Sequence, residues 1–570
     1  MSEAGSWSSG DGRRHLAVIG GGQSAKWLLF GLAERLARGD RSLADLRISV
    51  FERGWEFGTG FAWSRQNTLA EHDTSLAEPI SRIAFGDDQS RQFHETVSML
   101  RAQGVVVDLR RGTEIVALRC DAETMQATIA GGDTVRADAV VLATGHWQPD
   151  DPLQGAAGYC ASPWPAASLQ ESVCGPWIRA GAHASKRVLV LGTYLNALDA
   201  VISLSHRAGT FTEDARGRLA FHGPERFQLV MGSRRGGLPR VWGRAPSLRP
   251  PRVLTPAALE TLRCTAGNDG FLPLADCIDL LEREIALEEG VRSTLRSARK
   301  PGDATQRRTG ATTRALRRRL ASDLRAVFAQ GAESRRYADT IEVPWQVALF
   351  SVLPVFSERS HALSAEDQFA FDERLRTRFF HHAMPMTLST ARKLEALMAS
   401  GHLQVMALGD RYACVPNRQG VVLSYPAREG SQQSREFTDV VRAHAGSGDI
   451  RQHPAPLFQD ALRFGVVQPA TRDFRDARLA ERVALRRGNA AIVERGRGHS
   501  LVVGGVKVNP ATREVIAANH ASTAANAPLM FAMGPLLIGQ FLDAHSIGQL
   551  IRDSGCILDT LASSQKRTAS

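Results

Sequence analysis

The sequence predicts an α/β protein built on two parallel, doubly wound sheets, with a separate helical elaboration. Three observations carry this prediction. Near residue 16 and again near residue 188, a short apolar strand runs into a glycine turn and then into an amphipathic helix. Close to the C-terminus a further apolar strand meets a glycine turn in "LMFAMGPLLIG", as when a chain returns to complete an interrupted domain. The 570 residues also exceed what one ordinary core fills. Together they indicate two Rossmann-like dinucleotide-binding units, one discontinuous and the other inserted into it.

The first unit opens on "RRHLAVIGGGQSAKWLLFGLAERLARG". Leu16–Ile19 reads as a buried strand, and Gly20, Gly22 and Ala25 follow at G-x-G-x-x-A spacing. Gly20 permits the tight turn, Gly22 lets the backbone approach a pyrophosphate, and Ala25 allows close helix–strand packing. Ala25, Leu28, Leu29, Leu32, Ala33 and Leu36 then recur at helical spacing. The helix N-terminus would face the phosphates. A second strand, "LRISVFERG", ends on Glu52, placed to accept hydrogen bonds from a ribose. Its charge opposes a 2′-phosphate, which leaves FAD or NAD. The strand and Ala-Thr-Gly turn of "DAVVLATGHWQPDDP", with the returning Gly534-Pro535 turn and its helix, decide for FAD.

The second unit opens on "VLVLGTYLNALDAV". Gly192 and Ala197 keep two fingerprint positions, but Tyr194 stands where the second glycine belongs. That residue is expected to remove the close backbone approach to a pyrophosphate, so a nucleotide would sit farther out or not bind. Asn196 would orient the nucleotide or cap the helix. Downstream, "RFQLVMGSRRGG" places Arg234 and Arg235 at a strand end, where two guanidiniums suit a 2′-phosphate and hence NADPH. A solvated basic hairpin is the alternative. The expected layout is residues 14–167 and 438–552 for the FAD unit and 185–437 for the inserted unit, with a helical elaboration over about 254–373. Residues 1–13 and 556–570 are expected to be disordered tails.

Composition narrows the class. A 43% hydrophobic content is that of a globular protein. The net charge of +11 is carried by arginine, since only six residues are lysine. The basic residues are mixed with acids, and the one tight cluster, Arg317–Arg319, reads as a solvated helix face, so no nucleic-acid partner is expected. The seven cysteines show neither CxxC nor metal spacing, the polar start lacks a signal-peptide core, and no apolar run reaches spanning length. A cytoplasmic protein without metal or membrane partner is expected. His381 and His382 do not suggest a metal, because adjacent residues on a helix point about a hundred degrees apart.

Several of these segments, in the same order, resemble the bacterial FAD/NAD(P)-binding oxidoreductases related to class B flavin monooxygenases. "GGGQSA" resembles the FAD fingerprint, which implies cofactor contacts from Gln23 and Ser24 as well. "FERGWEFGTGFAWS", with Gly58 and Gly60, resembles the family's turn after the ribose acid. "DTSLAEPISRIAFGDDQSRQF" resembles the segment passing near the flavin ring, which makes His72, Asp73 and Ser75 candidates for touching substrate or oxygen, or an ordinary loop. "LATGHWQP" resembles the turn joining the two nucleotide units, with Thr144, Gly145 and His146 beside FAD. "VMGSRRGGLPR", "FFHHAMPMTLSTARKLEALMASGHLQVM", "GGVKVNPATREV" and "MFAMGPLLIGQF" continue the correspondence. Two places depart from it: Tyr194, and "FTDVVRAHAG", which reads Ala-His-Ala-Gly where a second Ala-Thr-Gly turn is expected.

The resemblance implies FAD, NADPH and O2 as reactants with a small-molecule substrate. In that family NADPH reduces the flavin, O2 adds to it as a C4a-hydroperoxide, and a substrate atom, often an amine nitrogen, attacks the distal oxygen. The protein need supply only orientation and water exclusion. Within the group, the nitrosuccinate-forming aspartate N-monooxygenases and the FAD-dependent urate hydroxylases are the nearest parallels. Amine N-oxygenation of a small, polar, anionic metabolite is expected. A urate-type ring hydroxylase, a flavin reductase or dehydrogenase without oxygenation, and a non-catalytic flavoprotein with a decayed NADPH site remain alternatives.

Overall fold

The computed structural model describes residues 12–74, 80–121, 124–215, 217–243, 249–287, 313–327, 343–426, 431–444, 446, 448–495, 498–518 and 528–568. Two five-stranded parallel sheets organise it. The first is built from β1 (Arg14–Ile19), β2 (Leu46–Glu52), β3 (Val106–Arg111), β4 (Ala139–Leu142) and β10 (Leu529–Ala532), in the order β10-β4-β1-β2-β3. The second holds β5 (Tyr159–Cys160), β6 (Lys186–Leu191), β7 (Phe227–Ser233), β8 (Leu403–Ala407) and β9 (Asp439–Arg442), in the order β8-β7-β6-β9-β5.

The parallel pairing explains the apolar runs. Ala17, Val18, Val140, Val141, Leu189 and Val190 are fully buried because helices or small antiparallel sheets cover both faces of each sheet. Helix α1 (Gln23–Ala37) buries the predicted stripe Ala25, Leu28, Leu29, Leu32, Ala33 and Leu36 against the first sheet. Helix α2 (Arg82–Ala102) lies beside it, and α3 (Leu195–Ala208) repeats the arrangement on the second sheet.

Three boundaries differ from expectation. Asp439–Arg442 pairs in parallel with Lys186–Leu191, so it closes the second sheet and does not begin the return to the first. Tyr159–Cys160 pairs with that same strand, so it too belongs to the second sheet although it falls within 14–167. Buried parallel strands look alike in sequence, and nothing local says which sheet receives them. The expected tail at 556–570 is instead part of helix α6 (Ile547–Thr568), whose Ile557, Leu558 and Leu561 are buried in the first core. The helix thus belongs to the folded unit at least through Leu561; residues 1–11 lie outside the described part.

The elaboration inserted between β7 and β8 contains α4 (Pro344–Arg359), α5 (Arg376–Ala383) and other helices around a core of its own. That core includes Leu349, Val352, Phe356, Phe371 and Phe379, and it takes in Leu542 from the returning segment. The two sheet units are clamped directly. Arg82 forms a two-pronged ion pair with Asp199 of α3 at 2.7 and 3.0 Å, and Lys393 donates to the Glu71 carbonyl at 3.1 Å. Arg319 is not on a solvated face: its guanidinium donates to the Leu238 and Pro239 carbonyls, while Arg317 pairs with Glu395. No helix among the described residues is long and apolar enough to cross a membrane.

Candidate functional site

At the C-terminal edge of the first sheet, the sequence-predicted cofactor residues converge. Gly20 adopts φ +109°, and a Cβ there would collide with the Ala143 carbonyl that leads into Thr144. A Cβ on Gly22 would lie 3.2 Å from the Gly60 Cα, so the turn and the second glycine loop pass backbone to backbone. Gly58 donates its amide to the Gly21 carbonyl at 2.8 Å, and the Gln23 amide nitrogen donates to the Gly58 carbonyl. Glu52 binds the Gly21 and Gly54 amides with its two carboxylate oxygens, both at 2.8 Å. Gly534 comes so near that a Cβ on it would meet the Ser24 hydroxyl at 2.7 Å, and its amide donates to Asp553. Pro535 continues that buried turn.

This arrangement fits FAD. Helix α1 has no side-chain cap at Gly22 and no acid in its first turn, which leaves amides and a positive dipole end for phosphates. The Thr144 hydroxyl is buried without a hydrogen-bond partner, as expected of a group awaiting a ligand. Gly20–Ala25, Glu52, Gly58, Gly60 and Thr144–Gly145 are the residues that would hold it.

The second turn is built alike up to one residue. Gly192 has φ +132°, with a Cβ position 3.2 Å from Ala443, and Thr193 donates to Ser233 at 3.0 Å. Tyr194 is the N-cap of α3 in extended conformation, so the missing glycine costs no backbone strain. Its ring does not turn onto the phosphate side. It stacks on His381 with centroids 5.6 Å apart, and its hydroxyl donates to the Met384 carbonyl at 3.2 Å. Helix α3 again lacks a side-chain cap and a first-turn acid. Asn196 is inside the first turn and is not the cap. Arg234 is exposed, 3.9 Å from Asp410, whereas Arg235 donates to the Glu373 carbonyl of the elaboration. Of the two guanidiniums, Arg234 is thus the less engaged.

His146, after the Ala-Thr-Gly turn, stacks on His545 of the returning segment with centroids 4.5 Å apart and rings 15° from parallel. Both rings are open to solvent but deeply surrounded, and desolvation pulls His146 down to about 4 and His545 well below its ordinary range. His381 falls to about 3 for the same reason, with Arg319 adding to it. The buried Asp543, two residues before His545, is pushed up to about 6 by desolvation and acts electrostatically on Tyr194.

His72 and Asp73 lie at the contact between the two units. The His72 ring is buried between Thr68 Oγ1 at 3.1 Å and Ser203 Oγ at 2.8 Å, and burial lowers its pKa. Asp73 bridges to Ser81, and its carbonyl accepts from Arg82. Both serve the clamp between units; Ser75 lies outside the described residues. Asp543 and His545 escaped sequence reasoning, although polar Asp and His inside the apolar run "GQFLDAHSIGQLI" were a usable signal. All seven cysteines are free, and no metal-holding cluster is present among the described residues.

Residues 70–147 match the protein-family model described as FAD-NAD(P)-binding, a segment that ends on the turn bearing Thr144 and His146. The chain is 23% identical over 454 residues to the uncharacterized protein YdhS of Escherichia coli strain K12, covering 72% of this chain and 80% of that one. Among solved structures it is similar to the ornithine hydroxylase PvdA of Pseudomonas aeruginosa, with TM-score 0.44, 12% identity and 97% and 99% of the two chains covered. It is also similar to the L-lysine 6-monooxygenase of Pseudomonas syringae, with TM-score 0.41, 13% identity and coverage of 96% and 99%. Structural likeness of that order carries no argument about activity. The match over residues 70–147, to a family described as FAD-NAD(P)-binding, and the two glycine-turn edges agree in kind.

Proposed function

We propose that the protein is an FAD-dependent, NADPH-oxidising monooxygenase that oxygenates the nitrogen of a small polar amine. The observation that supports it best is the pair of glycine turns. Two glycine turns end strands of two parallel sheets, and each leads into a helix whose N-terminus has neither a side-chain cap nor a first-turn acid. A hydride donor at the second turn would reduce a ring held at the first. Bound FAD would supply the redox chemistry, taking hydride from NADPH and passing one oxygen atom of O2 to substrate. The chain's own residues bind and orient. Glu52 and the α1 amides hold the dinucleotide, Arg234 selects the phosphorylated nucleotide, and the His146 and His545 rings stay uncharged.

The experiment is anaerobic mixing of the FAD-loaded protein with NADPH, followed by addition of isotopically labelled O2 and an amine panel. Bleaching of the flavin and label in a hydroxylamine product are expected. Bleaching without labelled product would replace the oxygenase reading by that of a reductase. No bleaching with NADPH or NADH would leave a flavoprotein whose second site does not work.

A further inference from the structure

The two faces of the first sheet are used differently. On β2, Ile48 and Val50 pack with the apolar stripe of α1, and Glu52 turns to the Gly21 amide. Alternation along the strand puts Arg47, Ser49 and Phe51 on the opposite face. The parallel register sets His15 beside Arg47, Asp108 beside Ser49, and Arg110 beside Phe51. A small antiparallel sheet (Ile115–Cys120, Met125–Ile129 and Thr134–Ala137) covers part of this face, and Phe51 joins the core between the two. Beside that cover a cavity of about 240 Å³ remains, lined by these strand residues together with Thr113, Ile129, Asp133 and Val135. None of its lining residues belongs to either glycine turn.

The polar lining is balanced in charge. The His15 ring is fixed at both nitrogens: the Arg136 carbonyl at 2.7 Å can only accept, so Nδ1 carries the proton, and Nε2 accepts from the Ser49 hydroxyl at 2.8 Å. Burial lowers the pKa of that imidazole and Arg47 acts the same way, so it is neutral. Arg110 donates through Nε to Asp108 at 2.7 Å, and the two charges offset each other. Arg47 adds a second cation and Asp133 a second anion. Asp133 is exposed on the turn between Met125–Ile129 and Thr134–Ala137, and its carboxylate has no partner among the described residues. Phe51, Ile129 and Val135 supply the apolar part of the wall.

A ligand with a single charge meets a group of its own sign here as well as one of the opposite sign. A ligand carrying both charges does not. The volume also lies below the ~300–1,000 Å³ of pockets for drug-sized molecules, so the occupant is small. We propose that this cavity binds a zwitterionic α-amino acid with an apolar side chain. Its carboxylate meets Arg47, its ammonium meets Asp133, and its side chain lies against Phe51 and Val135. The site is separate from both nucleotide turns and holds whether or not the protein oxygenates an amine.

The test is calorimetric titration of the full FAD-loaded chain with leucine, set against isocaproate, which has only the carboxylate, and leucinamide, which has only the ammonium. Leucine is expected to bind, and each single-charge probe to bind about tenfold more weakly or not at all. Asp133→Asn should weaken leucine by about tenfold and leave isocaproate unchanged. Arg47→Met should weaken leucine and leave leucinamide unchanged. Each change thus removes sensitivity to one end of the ligand, which a merely loosened cavity would not do. If Arg47→Met fails to fold, Asp133→Asn, on an exposed turn, still decides. Leucine affinity should be the same with NADP+ present in excess. No binding of leucine at millimolar concentration would overturn the proposal. So would equal binding of all three probes, unchanged leucine affinity in Asp133→Asn, or displacement of leucine by NADP+.

Discussion

Tyr194 lies against His381 with rings 17° from parallel, so the one residue that breaks the second glycine fingerprint ties the nucleotide turn to helix α5. The hydroxyl extends this tie to the Met384 carbonyl. Tyr194→Phe should cost about 1 kcal/mol, the net worth of an ordinary hydrogen bond, read from thermal or urea denaturation. Tyr194→Gly should cost about 3 kcal/mol through the lost ring. It should also tighten NADPH several-fold by opening the backbone to the pyrophosphate, read from the concentration dependence of anaerobic flavin bleaching. A Tyr194→Gly protein with weaker NADPH binding would show that the ring belongs to the nucleotide site.

The Arg82–Asp199 pair joins the helix after the clamp segment to the helix of the second unit, with both side chains largely buried. Removing one partner leaves a charge without compensation. Arg82→Ala or Asp199→Ala should each lower stability by about 3 kcal/mol. The double variant should recover part of that loss, because neither charge is then left alone. Denaturant unfolding of the four proteins checks this, and strict additivity would mean that the pair is not coupled.

Much of the first site was legible because each residue there has a local reason. Gly20, Gly22 and Ala25 follow one another on a strand–turn–helix, and Glu52 ends the next strand. What was not legible depends on long-range pairing. Asp439–Arg442 and Tyr159–Cys160 are apolar or short strands whose sheet is chosen by packing partners hundreds of residues apart in the chain. His545 escaped for the same reason: its stack on His146 forms only when the returning segment meets the Ala-Thr-Gly turn. Helix α6 is a different case. Leu550, Ile557, Leu558 and Leu561 recur at helical spacing, so the C-terminal helix was readable and the expectation of a tail neglected it.

Arg234 and Arg235 are adjacent in sequence but differ in availability. Arg234 is exposed beside a distant Asp410, and Arg235 is engaged by the Glu373 carbonyl. Arg234→Ala should weaken NADPH by about tenfold, as loss of a charge-assisted contact does, and leave NADH unchanged. Arg235→Ala should act mainly on stability, by loosening the turn from the elaboration. Equal effects of Arg234→Ala on both nucleotides would rule out contact with the 2′-phosphate.

Burial holds several histidines low: His361, His382 and His453 at about 4, and His381 at about 3, against an ordinary 6.5. The unfolded chain therefore takes up protons first as pH falls. Stability from these groups is fully present above about 6.5 and is lost progressively as pH drops from there toward 4. The melting temperature should be flat with respect to them between neutrality and mild alkali, then decline across that acid window. A melting temperature that stayed constant down to pH 4 would show that these rings are not desolvated in solution.

Glu52 does two things at the first turn. Its carboxylate fixes the Gly21 and Gly54 amides, and it has further lone pairs with which to accept from a ribose hydroxyl. Glu52→Gln replaces one acceptor oxygen by a donor, which cannot accept from an amide, so the turn loses one anchor while the side chain keeps its shape. Glu52→Ala loses both. FAD retained per chain after gel filtration should decline in the order wild type, Glu52→Gln, Glu52→Ala. Gly20→Ala should retain least, because a Cβ at φ +109° would strike the Ala143 carbonyl and move the turn itself. If Glu52→Ala kept its full complement of FAD, the acid would be bracing the loop alone, and recognition of the dinucleotide would fall to the α1 amides and the two crossing glycine turns.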